Sequence, residues 1–339
     1  MTDIARFRSE LLAWYDLHQR KLPWRSETPE PYHVLVSEAM LQQTQVATVI
    51  GYFRRFIAEL PTVEALASAE EQTVLRLWQG LGYYRRARNL HASAKRILAE
   101  FGGKVPDTVE ALLTLPGVGR YTAGAIASLA HGIPAPILDG NVQRVLCRLD
   151  AITEDPRDTP VQQRLWKRAE QLVPDHRPGP FNSALMELGA TVCTPTGPAC
   201  LICPVADHCT ANAHGLADTI PPPKKTKTTP LLERDIYIIR RPDDAVRIEQ
   251  RPADGRWANL WQFTTVPRNR PTPIKLADVH ILGEVKHALT HRRYHFRVLQ
   301  ATGTGAGTWV NWPKLDAYPM PKPQLRAAAM VSRRSGARG

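Results

Sequence analysis

No run of apolar residues in this 339-residue chain approaches the roughly 18 needed to cross a bilayer as a helix. A helical membrane protein is therefore not expected, and no membrane partner. The first residues, Met1-Thr2-Asp3-Ile4-Ala5-Arg6, carry charge at once and lack an apolar signal region, so a cytoplasmic location is expected. Cysteine is scarce, at five residues. In a reducing compartment these are expected as thiols or metal ligands, not disulfides. Acidic residues are the minority among charges: 32 Asp and Glu against 44 Lys and Arg leave a formal net charge of +12. That balance argues for an anionic partner, of which nucleic acid is the usual one. No internal repeat is visible. Hydrophobic content of 43% and charged content of 22% are those of an ordinary globular protein, and the length suits two domains.

What is present falls into two textures. Amphipathic patterns of helical period recur near residues 4–18, 32–58, 70–79, 84–101, 107–114, 120–130, 141–150, 160–172 and 181–190. Turn signals such as Leu22-Pro23-Trp24, Leu60-Pro61-Thr62 and Phe101-Gly102-Gly103 separate them. The Pro- and Lys-rich stretch 221–227 reads as a linker. Beyond it, residues 236–239, 245–248 and 294–298 read as short strands, which predicts a small α+β domain over 233–325. Residues 326–339 are basic and rich in small side chains, and are expected to be disordered. The division predicted is thus 1–217 helical, 218–232 linker, 233–325 α+β, then the tail.

The helical pattern around residues 35–46 contains Glu38, three residues after Leu35, three before Leu41 and four after Val34. Glu38 therefore shares a stripe with apolar side chains, and no Lys or Arg stands three or four residues away to pair with it. A carboxyl so placed should hold its proton tightly, as a general acid must. The competing reading is a Glu at the edge of the stripe that reaches water.

Cys193, Cys200, Cys203 and Cys209 are spaced C-x6-C-x2-C-x5-C within 17 residues. Four thiolates so close can chelate one centre, and the spacing alone leaves zinc or a [4Fe–4S] cluster open. Four protein ligands leave no open position for a substrate, so the centre would be structural. Cys147 stands apart and reads as a buried small hydrophobe.

Leu115-Pro116-Gly117-Val118-Gly119-Arg120-Tyr121 reads as a tight turn opening a helix. Glycines there permit unusual backbone angles and close approach of another molecule, and the helix offers free N–H groups to a phosphate. Such a hairpin, with Gly117 and Gly119 at its apex, can grip DNA without reading its sequence. A second Gly-rich turn, 78–88, joins Tyr83 and Tyr84 to Arg85, Arg86 and Arg88. Aromatic wedges and phosphate-binding arginines fit that composition, and so does a core tyrosine beside a solvated basic face. Asp139 stands where a helix N-cap belongs, 20 residues past Gly119.

The order of Glu38 helix, Leu-Pro-Gly-Val-Gly hairpin, Asp139 at a helix start and four-Cys loop resembles the helix-hairpin-helix DNA glycosylases. Within them it is most similar to the adenine DNA glycosylases, the MutY family. Residues 37–50, Gly80-Leu81-Gly82-Tyr83-Tyr84, Asp139-Gly140-Asn141-Val142 and Ala184-Leu185-Met186-Glu187-Leu188-Gly189-Ala190 carry the likeness, which is strong over about 5–215. It implies a mainly α catalytic region with a six-helix barrel module at about 30–135. An iron–sulfur module would follow, built from the N-terminal helix plus about 136–215. It also implies one [4Fe–4S] cluster in place of zinc, and a monomer, nucleoid-associated in a bacterial-type cell.

The implied substrate is adenine mispaired with 8-oxoguanine or guanine in double-stranded DNA, extruded from the stack before reaction. Glu38 would protonate adenine N7 and Asp139 would stabilise or trap the sugar cation, two carboxylates in different protonation states. Tyr121 and Asn141 match positions that orient them, Arg25 matches a polar pocket position, and Gln42 and Tyr83 match residues that wedge the duplex. Relatives that also nick the strand carry a Lys where this chain has Tyr121, so a monofunctional glycosylase is expected. An endonuclease III-like lyase and a non-catalytic iron–sulfur DNA-binding protein are the alternatives.

The C-terminal region resembles the Nudix-like domain of the same family. Between 264 and 290 only Asp278 and Glu284 are acidic, so the metal-binding helix of Nudix hydrolases is missing and no nucleotide hydrolysis is expected. The family's Phe-Ser-His segment that meets 8-oxoguanine stands here as Leu289-Thr290-His291, keeping a hydroxyl and losing a ring. Thr290 and His291 are the implied lesion contacts. Residues 303–307, Gly-Thr-Gly-Ala-Gly, read as a loop and not as a phosphate cradle.

Overall fold

The computed structural model describes residues 3–223 and 228–335. The chain forms two compact units: Met1–Ser68 with Asn89–Lys225, and Ala69–Arg88 with Thr226–Gly339. The linear division expected near residue 217 misses the excursion of 69–88 into the second unit. That segment is helical and amphipathic like its neighbours, so its pattern does not show which core it joins.

The first unit is all helical. α1 (Ile4–His18) is capped by Asp3, whose carboxylate accepts from the backbone N–H groups of Ala5 and Arg6. α2 (Pro31–Leu41) opens on a proline, which suits the first helical turn. α3 (Val46–Glu59) follows, and α4 (Val63–Ser68) ends the first stretch. The single helix expected over 32–58 is thus broken at Gln42–Gln45, where Gln43 takes a left-handed φ of 56°. α5 (Glu71–Leu77) lies in the second unit and α6 (Arg85–Phe101) carries the chain back. The rest are α7 (Val109–Leu113), α8 (Arg120–His131), α9 (Gly140–Leu149), α10 (Thr159–Leu172), α11 (Pro178–Thr191) and the short α12 (Thr210–Ala213).

α11 is the central element, packing on α1, α8 and α9, while α2 packs on α8. Its apolar side chains Phe181, Leu185 and Leu188 meet Phe7 and Leu11 of α1, Val145 and Leu146 of α9, and Leu165 of α10 in one core. Gly189 permits the tightest approach: a Cβ there would stand 2.7 Å from the Cβ of Asn141.

The second unit is a mixed six-stranded sheet in the order β4-β5-β1-β3-β2-β6. The strands are β1 (Leu231–Arg240), β2 (Ala245–Gln250), β3 (Trp261–Pro267), β4 (Leu276–Leu289), β5 (Arg292–Gly303) and β6 (Thr308–Asn311). β1 and β5 run parallel, and the other pairs are antiparallel. α13 (Lys322–Ser335) packs on β4 and β1 and buries Ala327 and Val331 against Ile236, Phe263 and Phe296. The disordered tail expected from Arg326 is therefore a helix as far as Ser335, because small apolar residues four apart face the sheet; residues 336–339 lie outside the described residues. Part of the expected linker also packs: Ile220 is buried and its carbonyl accepts from Arg148 Nε at 2.7 Å, while 224–227 lie outside the described residues. Among the described residues no helix is long and apolar enough to cross a membrane.

α5 belongs with the sheet through side-chain hydrogen bonds. Asn259 Nδ2 donates to Glu71 Oε1 at 2.6 Å, and Trp261 Nε1 donates to Gln72 Oε1 at 3.2 Å. Arg88 Nη1 adds a bond to the Ala258 carbonyl at 2.8 Å.

Candidate active site

A cleft of about 1510 Å³ opens in the first unit, and Arg25, Glu38, Gln42, Tyr121, Asp139 and Asn141 all line it. Residues from 25 to 141 thus converge on one cavity, as a reacting centre requires.

Glu38 projects from α2, a helix buried on nearly every side: Tyr32, Val34, Leu35, Val36, Ser37 and Met40 are buried with it. The edge-of-stripe reading fails, since Glu38 is 4% exposed. Burial pushes its carboxyl up to about 7. A hydrogen bond from Tyr121 and the charge of Arg25 work against that rise, and the charge of Asp139 supports it. Its Oε2 is buried without a hydrogen-bond partner, as suits an atom left for something outside the protein.

Asp139 is the N-cap of α9, accepting from Val142 N–H at 2.7 Å, and Asn141 Nδ2 donates to its other oxygen at 3.1 Å. Burial raises its pKa, but backbone and side-chain donors of Val142 and Asn141 and the charge of Arg144 favour the anion. The two carboxyls therefore differ in kind: Glu38 has an orphaned oxygen, Asp139 a set of donors. Capping and a place in the cleft coexist in Asp139.

Tyr121 follows the hairpin on the first turn of α8. Its hydroxyl donates to Met186 Sδ at 3.4 Å and also lies within reach of Glu38. In the hairpin itself Gly117 is left-handed, φ 79°, and a Cβ there would collide with Asn89 at 2.5–2.9 Å. Gly119 differs: a Cβ there would meet nothing within 4 Å, so the open space beside it lies outside the protein.

Sequence reasoning missed several groups. Glu187 of α11 is 1% exposed and lines the same cleft. Burial alone would push its carboxyl up, but Arg20 and Arg25 overcome this and hold it below its ordinary range. Arg25 Nη2 donates to it at 2.9 Å and Arg20 Nη2 at 3.1 Å. Arg144, one turn into α9, donates to Asn141 Oδ1 at 2.9 Å, to the Gly189 carbonyl at 2.7 Å and to the Cys193 carbonyl at 2.8 Å. It links the start of the cysteine loop to the donor that orients Asp139. Two arginines four apart, Arg144 and Arg148, on a helix opened by Asp139 were the available signal.

Cys193, Cys200, Cys203 and Cys209 lie in one loop region after α11. Burial pushes the Cys203 thiol up to about 11, and the fields of Cys193, Cys209 and Cys200 push the same way, so the four sulfurs share a neighbourhood. Among the described residues no three ligand side chains converge closely enough to hold an ion as they stand. Arg148, 2% exposed, donates to Cys193 Sγ at 3.2 Å and to the Thr194 carbonyl at 2.7 Å. A four-sulfur donor set with a buried guanidinium beside it fits a group that binds cysteines as anions.

In the second unit, Thr290 and His291 form the exposed turn between β4 and β5. Thr290 Oγ1 shares a 2.8 Å hydrogen bond with the hydroxyl of Tyr83, a half-exposed residue with φ 49°. Two positions far apart in sequence thus meet. Arg86 requires correction: it is buried, held between the rings of Trp78 and Tyr83, with a hydrogen bond to the Gly82 carbonyl and its guanidinium pushed down to about 10 by burial. It braces its own turn and is not presented to a phosphate. Tyr84 is buried as well.

With this geometry in view, known proteins separate the possibilities. Residues 36–171 match the HhH-GPD superfamily of base excision DNA repair proteins, and residues 236–330 match the NUDIX domain. The chain is 37% identical to the adenine DNA glycosylase of Rattus norvegicus, covering 92% of this chain and 75% of the rat protein. The chain belongs to the adenine DNA glycosylases. The adenine DNA glycosylase of Buchnera aphidicola (strain Sg) is 37% identical over 85% of this chain and 83% of its own. Membership of this family, the MutY family, accounts for both units. Among solved structures, a thermostable thymine-DNA glycosylase superposes with a TM-score of 0.56 at 28% identity, over 62% of this chain and 97% of that one. An endonuclease III trapped as a covalent intermediate with DNA superposes at 0.53 with 23% identity, over 63% and 97%, which shows a shared fold.

Proposed function

We propose that this adenine DNA glycosylase of base excision repair releases adenine mispaired with 8-oxoguanine or guanine in duplex DNA, without cutting the strand. The observation that carries the reading is the pair of unlike carboxyls in one cleft, a buried Glu38 with an unpartnered oxygen and a raised proton affinity, and a donor-held Asp139. Adenine must leave the stack to reach such a cleft. Glu38 then gives its proton to N7. The C1′–N9 bond breaks with its electrons passing to the base, and positive charge develops on the sugar. The Asp139 carboxylate stabilises that charge until water adds at C1′ and loses a proton. Tyr121 stands where strand-nicking relatives have a lysine, so that position offers no amine to the sugar. The hairpin at Gly117 and Gly119 supports a phosphate grip, and Gln42 and Tyr83 support roles against the duplex.

Cys193, Cys200, Cys203 and Cys209 would hold a [4Fe–4S] cluster, which supplies structural cross-linking of the loop and no open coordination position. Purified protein should be brown and contain roughly four irons per chain; stoichiometric zinc without iron would contradict this. Thr290 and His291 would contact the 8-oxoguanine strand.

Single-turnover release of free adenine from A:8-oxoguanine and A:G duplexes tests the reading, with a thymine glycol duplex as control. Adenine should appear from the first two only, with the strand intact until alkali treatment. Thr290→Ala should weaken binding to the 8-oxoguanine duplex by about 1 kcal/mol, the value of one hydrogen bond, and leave the A:G duplex unaffected. Equal losses on both would assign Thr290 to general DNA contact or folding. The full chain is the right material, because residues 69–88 fold with the second unit.

A further inference from the structure

We infer that Arg120 is a DNA-binding residue that takes a backbone phosphate beside the one the hairpin would grip, and that Trp166 of α10 is the positioning residue that holds it ready. The inference rests on the DNA-binding half of the proposed function and not on its chemistry.

The guanidinium carbon of Arg120 lies 4.0 Å over the centroid of the Trp166 ring. At that distance the planar head itself is stacked on the indole, which leaves the edge of the guanidinium, with its N–H donors, turned away from the ring. Had the arginine served only to cover the ring, its aliphatic stem would suffice. Arg120 is exposed, and among the described residues no carboxylate or carbonyl accepts a hydrogen bond from it. The ring beneath is anchored, since Trp166 is half-buried and packs against the core of the first unit. A charged head is thus immobilised by the protein while its donors stay uncommitted. Arg86 shows the opposite arrangement, with its guanidinium buried and bonded within its own turn.

The place of Arg120 decides the class of acceptor. It is the first residue of α8, directly after Gly119, which caps the helix without a side-chain bond. Side chains of a helix lean toward its N-terminus, so that of Arg120 leans toward the turn where the backbone N–H groups of the first helical residues lack intrahelical partners. The open space beside Gly119 adjoins the same turn. A planar fork of donors next to unpaired amides suits an oxyanion, and two such anions a few ångströms apart are what a DNA strand presents. Holding the fork in place beforehand spares the ordering cost that a free arginine would meet on binding.

Equilibrium binding of the full chain to an undamaged duplex, followed by fluorescence anisotropy over a series of salt concentrations, tests this without any reaction. Arg120→Gln should weaken binding and reduce the slope of log K against log salt by about 0.9, the value of one phosphate contact. The ratio of wild-type to variant affinity should accordingly shrink about 3.5-fold between about 50 and about 200 mM salt. Arg120→Lys keeps the charge but not the stacked fork, so the slope should hold while affinity falls. Trp166→Ala should weaken binding roughly two- to tenfold, the cost of ordering one long side chain, and Trp166→Phe should restore most of it. In an Arg120→Gln background the Trp166→Ala loss should vanish, because the ring then has nothing to hold. An unchanged slope in Arg120→Gln would overturn the inference. So would a Trp166→Ala loss of the same size in both backgrounds, which would make Trp166 a packing residue only. Wild type that binds the duplex with this slope and releases no adenine would sustain Arg120 and remove the proposed reaction. Wild type without salt-dependent duplex binding would overturn both.

Discussion

Glu38→Gln is expected to abolish adenine release, by about a thousandfold given the typical contribution of general acid catalysis. Duplex binding should persist, since the amide keeps the shape of the acid. Stability gives an independent check. The folded carboxyl titrates at about 7, above its ordinary 4.5. Between those values the unfolded chain has lost the proton that the folded one retains, so stability falls with rising pH through that window and the cost is complete above it. The difference amounts to about 3 kcal/mol at pH 8. Glu38→Gln removes the titration, so the decline in melting temperature seen for wild type from acid pH to pH 8 should be largely absent. An inactive variant whose stability no longer depends on pH in this window cannot have lost activity by unfolding.

Asp139→Asn is expected to slow release by several orders of magnitude while leaving the helix cap intact. Asparagine caps a helix about as well as aspartate, so the bond from Val142 N–H can remain and α9 should stay in place. The melting temperature should change little. What is lost is the negative charge opposite the developing sugar cation. Asp139→Ala separates the contributions, losing the charge together with about 1 kcal/mol of capping. A near-normal rate in Asp139→Asn, with only Asp139→Ala impaired, would make Asp139 a structural cap and nothing more.

The helical unit was legible because its helices carry their own punctuation. Asp139 and the glycine hairpin mark helix starts in sequence and in space alike. The apolar company of Glu38 was also legible, but whether it reached water depended on α8 and α9 folding over it, which no local pattern encodes. The same is true of Arg86. A basic turn looks like a phosphate site until Trp78 and Tyr83 close on the guanidinium. Strands β3, β4 and β6 escaped notice; β4 and β6 are the sheet's edges, where alternation fails, and β4 carries exposed residues along most of its length and two irregularities of register. Glu187 acts through Arg20 and Arg25, far away in the chain, and Arg144 joins the nearby Asn141 to the distant Gly189 and Cys193 carbonyls, so their roles appear only once α9 and α11 are packed.

The most direct measurement of the central claim is the pH dependence of single-turnover adenine release from an A:8-oxoguanine duplex by the wild-type chain. A neutral Glu38 as the acid and an ionised Asp139 as its counterpart predict a bell. The rate should decline about tenfold per unit above pH about 7, as Glu38 loses its proton, and should decline again toward acid as Asp139 gains one. A rate that stays flat or rises through pH 7 would contradict the account.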